Sequence, residues 1–328
     1  MEMDKTILAF GEIMLRLTPP HRQCIDSTTV FEACYGGSES NVLVCLSHLG
    51  HRTEYLTALP DQELGDAAIR HLRAHGVGTE YILRGEGNMG MYFLEEGFGS
   101  RGTKVIYHRK HSLVSLQDSG AFDYDRIFAR CGLFHICGIS FAISPSARRL
   151  SFALVREAKK RGIPVSFDFN YRGRLWTTGE AAEIYREIVR QVDILFCSEL
   201  DLKTFLGTGR EGVEQVYAGK YCVIREREVL PDGTHCARAE ILCRDGEEVR
   251  RVKGEPVEFP VLERIGSGDA FVGGVLHGLL TDGENPEGAL KWGMACFVLK
   301  HTQRGDVFTM GKAAAEAVRS GEAKDVTR

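Results

Sequence analysis

No stretch of the chain is apolar for long enough to cross a membrane as a helix, and no run of lysine or arginine breaks its mildly acidic balance. With a formal net charge of −4, neither a membrane nor a nucleic-acid partner is expected. Proline is scarce, at 9 residues in 328, and no Pro- or Ser-rich linker, internal repeat or low-complexity tract divides the sequence. One domain over residues 1–328 is the economical organisation, and that length supports a sizeable core. The ten cysteines include no Cys-x-x-Cys pair and no metal-ligand spacing with histidine. Cys45, Cys137, Cys197 and Cys296 lie in apolar segments and read as buried thiols. The first residues, Met1-Glu2-Met3-Asp4-Lys5, lack a signal-peptide pattern, so a reducing cytoplasm is the expected location.

What is present is alternation. Strand-like runs at 6–10, 53–59, 132–138, 163–169 and 193–197 are interleaved with helical patterns at 41–49, 65–75, 145–161 and 180–192. A short helix to residue 206 and closing helices at 286–302 and 312–320 complete the set. Ser144-Pro145 is a strong helix start, a capping hydroxyl followed by proline at the first helical position. This order predicts an α/β fold, a mostly parallel sheet with helices on both faces. Residues 12–37 and 88–114 break the pattern. The second stretch reads as two strands, 89–95 and 103–109, around a glycine-rich turn, so a small β lid at the sheet edge is expected.

Two Gly-x-Gly-x-x-Gly matches, at 85–90 and 97–102, neither follow a strand nor open a helix, and both read as hairpin turns. Lys104 after Gly102-Thr103 lacks the Gly-Lys-Ser/Thr ending of a phosphate loop. His71, His75 and His301 have no acidic or cysteine partners at metal spacing and read as solvated histidines.

The most telling segment is Gly266-Ser267-Gly268-Asp269, which runs into the apolar, glycine-studded pattern of residues 270–280. A helix start offers unpaired N–H groups and partial positive charge to an anion, and glycines let the backbone approach it. A carboxylate there repels a phosphate, unless a hydroxyl lies between them and gives up its proton as it attacks phosphorus. The plainer alternative is a tight turn with aspartate as a helix cap. Three glycines at 273, 274 and 278 in one apolar helix favour close packing over a surface turn. Polar residues after successive strands (Asp168, Asn170, Arg172, then Ser198, Glu199 and Asp201) lie where ligands gather in open α/β sheets.

These residues resemble the PfkB/ribokinase family of sugar kinases, and within it the 2-keto-3-deoxygluconate kinases, over about residues 5–310. Gly36-Gly37-Ser38-Glu39-Ser40-Asn41 is similar to the family's Gly-Gly-x-x-x-Asn sugar loop, and Gly65-Asp66 to its Gly-Asp before the next helix. Asp168-Phe169-Asn170-Tyr171-Arg172 and Arg304-Gly305-Asp306 resemble elements of the acid-sugar branch, as do Tyr92, Tyr107 and Arg109. The resemblance implies a ribokinase-like fold, ATP and Mg2+ as cofactors, and phosphorylation of an acidic sugar such as 2-keto-3-deoxygluconate, at its 6-hydroxyl. It implies Asp269 as base, with backbone N–H groups of Gly266, Ser267 and Gly268 on the transferred group. Substrate contacts fall to Gly36, Gly37, Asn41, Tyr92, Tyr107, Arg109, Asp168, Asn170, Arg172 and Asp306. Nucleotide contacts fall to Ser198, Arg225, Gly266 and Gly268, and magnesium to Glu199 and Asp201. Arg109 and Arg172 suit a carboxylate, since each guanidinium is a planar fork. The resemblance also implies a homodimer through the lid.

Three segments depart from the family pattern. Glu263-Arg264 replaces Asp-Thr, and Ser198-Glu199-Leu200-Asp201 replaces Asn-x-x-Glu. Arg225–Leu230 replaces Lys-x-Gly-x-x-Gly near the adenine and is followed by a polar loop at 231–237. A neutral-sugar kinase of the same fold, or a non-catalytic sugar or nucleotide sensor, therefore stands beside the acid-sugar reading.

Overall fold

The protein is described from a computed structural model, which covers residues 5–281 and 285–322. Strands β1 (Thr6–Phe10), β4 (Thr53–Pro60), β5 (Ile82–Gly85), β8 (Cys131–Cys137), β9 (Val165–Asp168) and β10 (Ile194–Cys197) lie parallel in one large sheet with β11 (Tyr221–Val229). Its order is β13-β12-β11-β10-β9-β8-β1-β4-β5, where β12 (His235–Asp245) and β13 (Glu248–Lys253) run antiparallel at one edge and β14 (Val257–Phe259) pairs with β12. A second sheet of four strands, β3-β2-β6-β7, joins β2 (Met14–Thr18), β3 (Glu32–Gly36), β6 (Met91–Glu95) and β7 (Lys104–His108).

Helices cover both faces of the large sheet, which is why its central strands are apolar throughout. In β1, Leu8 and Phe10 join one core with helices α3 (Pro145–Lys160) and α4 (Thr178–Ile188), through Leu150, Leu154 and Tyr185. Ile7 and Ala9 join the opposite core with α1 (Ser38–His48), α5 (Ser267–Thr281) and α6 (Pro286–Lys300), through Leu43, Val275 and Phe297. The alternation along one strand thus divides its side chains between two cores.

The predicted helix starts hold where the cap is explicit. Ser144 Oγ accepts from Ala147 N at 3.0 Å, and α3 follows as expected. Helix α1 begins at Ser38 rather than at 41, because the Gly37 carbonyl already accepts from Asn41 N at 2.8 Å. In α4 the start lies at Thr178, where Thr177 and Glu180 form a reciprocal capping box.

Four expectations are corrected. The polar run 231–237 is not loop throughout: β11 extends to Val229, a tight tip follows, and β12 already begins at His235. Its charged alternation is that of a half-exposed edge ribbon, where Arg238 pairs with Glu228 across the strands at 2.7 Å. Of the two glycine matches, 97–102 does turn the hairpin between β6 and β7, but 85–90 crosses from β5 of the large sheet to β6 of the small one. His301 is core rather than solvated, stacked against Phe259 and Phe297 with ring centroids 4.7 and 4.5 Å away. His71 and His75 stack on each other at 4.7 Å, and burial lowers the His71 pKa to about 4.

Helices α5 and α6 pack at glycine distance. A Cβ on Gly278 would stand 2.5 Å from Ala289 Cα, and one on Gly274 would stand 2.6 Å from the Trp292 carbonyl oxygen. Replacing glycine by alanine in a helix ordinarily gains about 1 kcal/mol, whereas overpacking costs about 1–3 kcal/mol. We expect Gly278→Ala to lower the urea unfolding midpoint; a raised midpoint would show that the helix contact tolerates a methyl group.

Candidate active site

Helix α5 starts at a turn only glycine can make. Gly266 has φ +74°, and a Cβ there would lie 1.7 Å from the Asp306 carbonyl oxygen. The first turn of α5 faces a cleft of about 460 Å³ at the carboxyl ends of β9 and β10 and beside the middle of β11, with the small sheet forming its other wall. Asp269 projects into this cleft. Its Oδ1 accepts from Ser38 Oγ at 2.9 Å and its Oδ2 from Asn41 Nδ2 at 2.7 Å, both from the start of α1. Asn170 Nδ2 donates to Ser38 Oγ at 2.6 Å, so the ends of β9, α1 and α5 are joined in one chain of donors. Burial raises the Asp269 carboxyl above its ordinary range, and the two hydrogen bonds oppose that rise. The group is thereby a stronger proton acceptor than a solvated aspartate.

Gly36, Gly37, Asn41, Asp168, Asn170, Gly266 and Gly268 line the same cleft as Asp269. Tyr92, Tyr107, Arg109 and Asp306 line it from the lid side, and Arg172, Ser198, Asp201 and Arg225 from the sheet side. Two of the predicted residues are not brought into this group. The Ser267 amide closes a turn onto the Arg264 carbonyl at 3.3 Å, and its hydroxyl donates to the same oxygen at 2.9 Å. Glu199 lies outside the cleft lining and pairs with Lys203 at 2.7 Å and with Arg210, which hold its carboxyl down at about 2.

Four others sit in the cleft but are engaged by protein groups. Arg109 donates to Glu12 through Nε at 2.7 Å and through Nη2, so its fork is spent on a carboxylate 97 residues earlier. Asp306 is bound by Arg16 at 2.6 Å and by the Tyr92 hydroxyl, which makes it a hub below the turn. Ser198 and Asp201 cap their own short helix reciprocally: Asp201 Oδ2 accepts from Ser198 N at 2.8 Å and Oγ at 2.6 Å.

Arg225 and Arg172 have no carboxylate partner at ion-pair distance among the described residues. The Arg225 guanidinium stacks over Phe271 and Phe297, 5.2 and 4.6 Å from their centroids. Arg172 is exposed at the cleft mouth and donates only to backbone, at 3.1 Å to the Tyr171 carbonyl. Beyond Arg225 the cleft opens into a second space of about 850 Å³, lined by Arg227, His235, Leu262, Arg264 and Phe297 and by the lid tip at Phe98.

A magnesium ion has a chemically suitable neighbourhood here. Asp168 is pushed up to about 7 by burial and by the charges of Asp269 and Asp201, against Arg225 and Arg172, so a hard cation would relieve crowded carboxylates. Among the described residues no three His, Cys, Asp or Glu side chains form a metal cage, so water and phosphate oxygens would complete such a shell.

Sequence reasoning passed over Ser38, Glu12, Arg16 and Glu263 as site residues. Ser38 stood inside the quoted sugar loop, and a hydroxyl between glycine and the helix was its signal. Glu12 and Arg16 offered none, since their partners are distant in sequence.

A carboxylate-bearing, glycine-turned helix start facing an arginine-lined cleft, on a large mostly parallel sheet with a separate small sheet, fits a phosphoryl-transferring enzyme of the α/β class. The comparisons narrow this further. The chain belongs to the pfkB family of carbohydrate kinases, whose pattern matches residues 4–312. It is 33% identical over 325 residues to the 2-dehydro-3-deoxygalactonokinase of Haloferax volcanii, spanning 98% of this chain and 99% of that one. The 2-dehydro-3-deoxygluconokinase of Thermoproteus tenax is 30% identical over 308 residues, 92% of this chain and 90% of its own. The crystal structure of the 2-dehydro-3-deoxygluconokinase of Thermotoga maritima matches with a TM-score of 0.89 at 33% identity, covering 97% of this chain and all of that one. This protein is therefore a carbohydrate kinase.

The raised Asp168 pKa has a consequence for stability. Between about pH 4, its unfolded value, and about pH 7, the folded state holds the extra proton, so this group's contribution to stability falls as pH rises. Asp168→Asn removes that dependence. In chelator, without divalent cations, we expect the variant's melting temperature to gain on the wild type from pH 5 to pH 8; a constant difference would contradict the assignment.

Proposed function

We propose that this kinase transfers the γ-phosphoryl group of ATP to a primary hydroxyl of a 2-keto-3-deoxy sugar acid, the gluconate form at its 6-hydroxyl or its galacto counterpart. The observation that carries the reading is the Asp269 carboxylate, held by Ser38 and Asn41 beside the glycine turn. The substrate oxygen forms a bond to the γ-phosphorus while the bond to the β,γ-bridging oxygen breaks, and the hydroxyl proton passes to Asp269. Of the helix-start amides, that of Gly268 has no backbone acceptor within its turn and offers its N–H to the transferred group, whereas Ser267 does not. Arg225 meets the donor phosphates from the floor of the cleft. Magnesium, when bound, neutralises donor phosphate charge, and Asp201 with Asp168 is the pair placed to meet it.

The acid function of the sugar falls to Arg172, whose guanidinium is free of carboxylates, and not to Arg109, whose fork is held by Glu12. Tyr92, Tyr107, Asn170 and the Gly36-Gly37 backbone then shape the rest of the sugar site. A lid over both substrates excludes water, which limits ATP hydrolysis. The same resemblance leads us to include pairing of two copies through the small sheet, whose tip exposes Phe98.

An ADP-release assay across sugar acids and neutral ketoses tests the reading, and turnover of fructose in preference to any sugar acid would overturn it. In Asp269→Asn we expect turnover to fall by about 10²- to 10⁴-fold with ATP binding retained. Near-normal turnover would remove Asp269 from the role of base. Arg172→Gln should raise KM for the acid sugar by about tenfold or more while leaving KM for ATP unchanged, as expected for loss of a charge-assisted pair.

A further inference from the structure

The cleft is underlain by a charged network that links the lid to the catalytic turn. Arg16, on β2 of the small sheet, is 3% exposed. Its Nη1 donates to Asp306 Oδ1 at 2.6 Å and also to Glu263 Oε1, while its Nε donates to Thr18 Oγ1 at 2.8 Å. The second oxygen of Glu263 accepts from Gly305 N at 2.9 Å, so Glu263 ties the segment before the turn to the segment that carries Asp306. The second oxygen of Asp306 accepts from the Tyr92 hydroxyl, and Tyr92 belongs to β6 of the lid. The backbone of Asp306 in turn packs directly beneath Gly266. Gly36, at the head of the sugar loop, has room for no side chain because the Asp306 carboxylate lies 2.1 Å from where its Cβ would be.

One guanidinium therefore bridges the segment that leads into the turn of α5 and the segment that packs beneath it. Stability alone is a poor reason for such an arrangement, because a buried ion network is often no more stabilising than apolar side chains of similar volume. A rigid guanidinium anchored through Nε on Thr18 holds its Nη1 between the two carboxylates and so fixes their spacing, which an apolar contact does not. Two network members, Tyr92 and Asp306, also line the sugar side of the cleft. What the lid holds and how the turn is set are thus mechanically joined.

We infer that Arg16 is a positioning residue that couples the lid to the phosphoryl-receiving turn, acting through Glu263 and Asp306. The inference rests on the reading of that turn under the proposed function. With sugar under the lid, β2 and β6 bring Arg16 and Tyr92 to bear on Asp306, and Gly266 and Gly268 take up the geometry that receives the transferred group. Without the link, both substrates still bind, but the turn is loose. A misplacement of about 1 Å at a reacting centre costs about 10²-fold in rate.

The test compares wild type with Arg16→Met, Arg16→Lys and Glu263→Gln, each checked for folding by its thermal transition. For Arg16→Met we expect kcat to fall about 10²-fold with the sugar KM changed less than about threefold, and added guanidinium ion to restore part of kcat. Arg16→Lys should lie between the two, since it keeps the charge but loses the Nε that anchors the side chain on Thr18 and the rigid plane that aims Nη1 at the two carboxylates. Glu263→Gln keeps the side-chain shape and serves if Arg16→Met does not fold, and it should show the same kcat-selective loss. Amide hydrogen exchange supplies a readout independent of the acceptor sugar: faster exchange at residues 264–270 in the variants, with β1 unchanged. Unaltered exchange at that turn in a folded variant, or a loss expressed in KM with kcat intact, overturns the inference. Failure of the wild type to phosphorylate any sugar acid would instead count against the proposed function, and the exchange comparison would still decide the coupling.

Discussion

The Asp269 carboxylate is held where its charge is least welcome. It sits at the wall of a cleft, its desolvation raises its proton affinity, and two donors from the start of α1 keep it oriented. Under the proposed function, its surroundings serve to bring that carboxylate, an alcohol and a phosphate chain together. The helix start supplies the partial positive charge that an aspartate alone would deny to an anion. The left-handed Gly266, pressed on the Asp306 carbonyl, lets that helix begin deep enough to face the cleft.

The surrounding fold explains why three distant segments meet there. The strands β9 and β10 end together and β11 runs on beside them, so Asp168, Ser198 and Arg225 meet at one rim. Helix α1 enters from β3 of the lid and so carries Ser38 and Asn41 into contact with α5. The chain of donors from Asn170 through Ser38 to Asp269 is thus a direct product of sheet order and of two short connections. The division of arginines has the same origin. Those reaching inward from the lid, Arg16 and Arg109, meet buried carboxylates, whereas Arg172 and Arg225, on the sheet side, face open cleft.

Much of this was legible in the sequence. The glycine-aspartate turn, the loop at 36–41 and the residues after β9 were readable as candidates for one cleft, because each is a short local pattern whose chemistry depends on neighbours in sequence. The parallel core was readable for the same reason, through the continuous apolar runs of its strands. What the residues did not disclose is pairing across long separations. Nothing near Arg109 in sequence announced Glu12 on its fork, and nothing near Asp306 announced Arg16 and Tyr92 on its carboxylate, although both residues do line the cleft. Glu199 differs, since it lies outside the cleft lining and pairs with the lysine four residues on and with Arg210. The edge ribbon of β11 and β12 was masked by its charged, half-exposed alternation, which reads as loop when the cross-strand partners are unknown.

The claim at the centre of this account is that Asp269 receives the proton of the attacking alcohol. A crystal structure with a 2-keto-3-deoxy sugar acid and a non-hydrolysable ATP analogue bound together tests it most directly. The account predicts the acceptor hydroxyl within about 2.6–3.2 Å of an Asp269 oxygen and in line with the γ-phosphorus. A hydroxyl resting instead on Asp168, with Asp269 still closed onto Ser38 and Asn41 and out of reach, would contradict it.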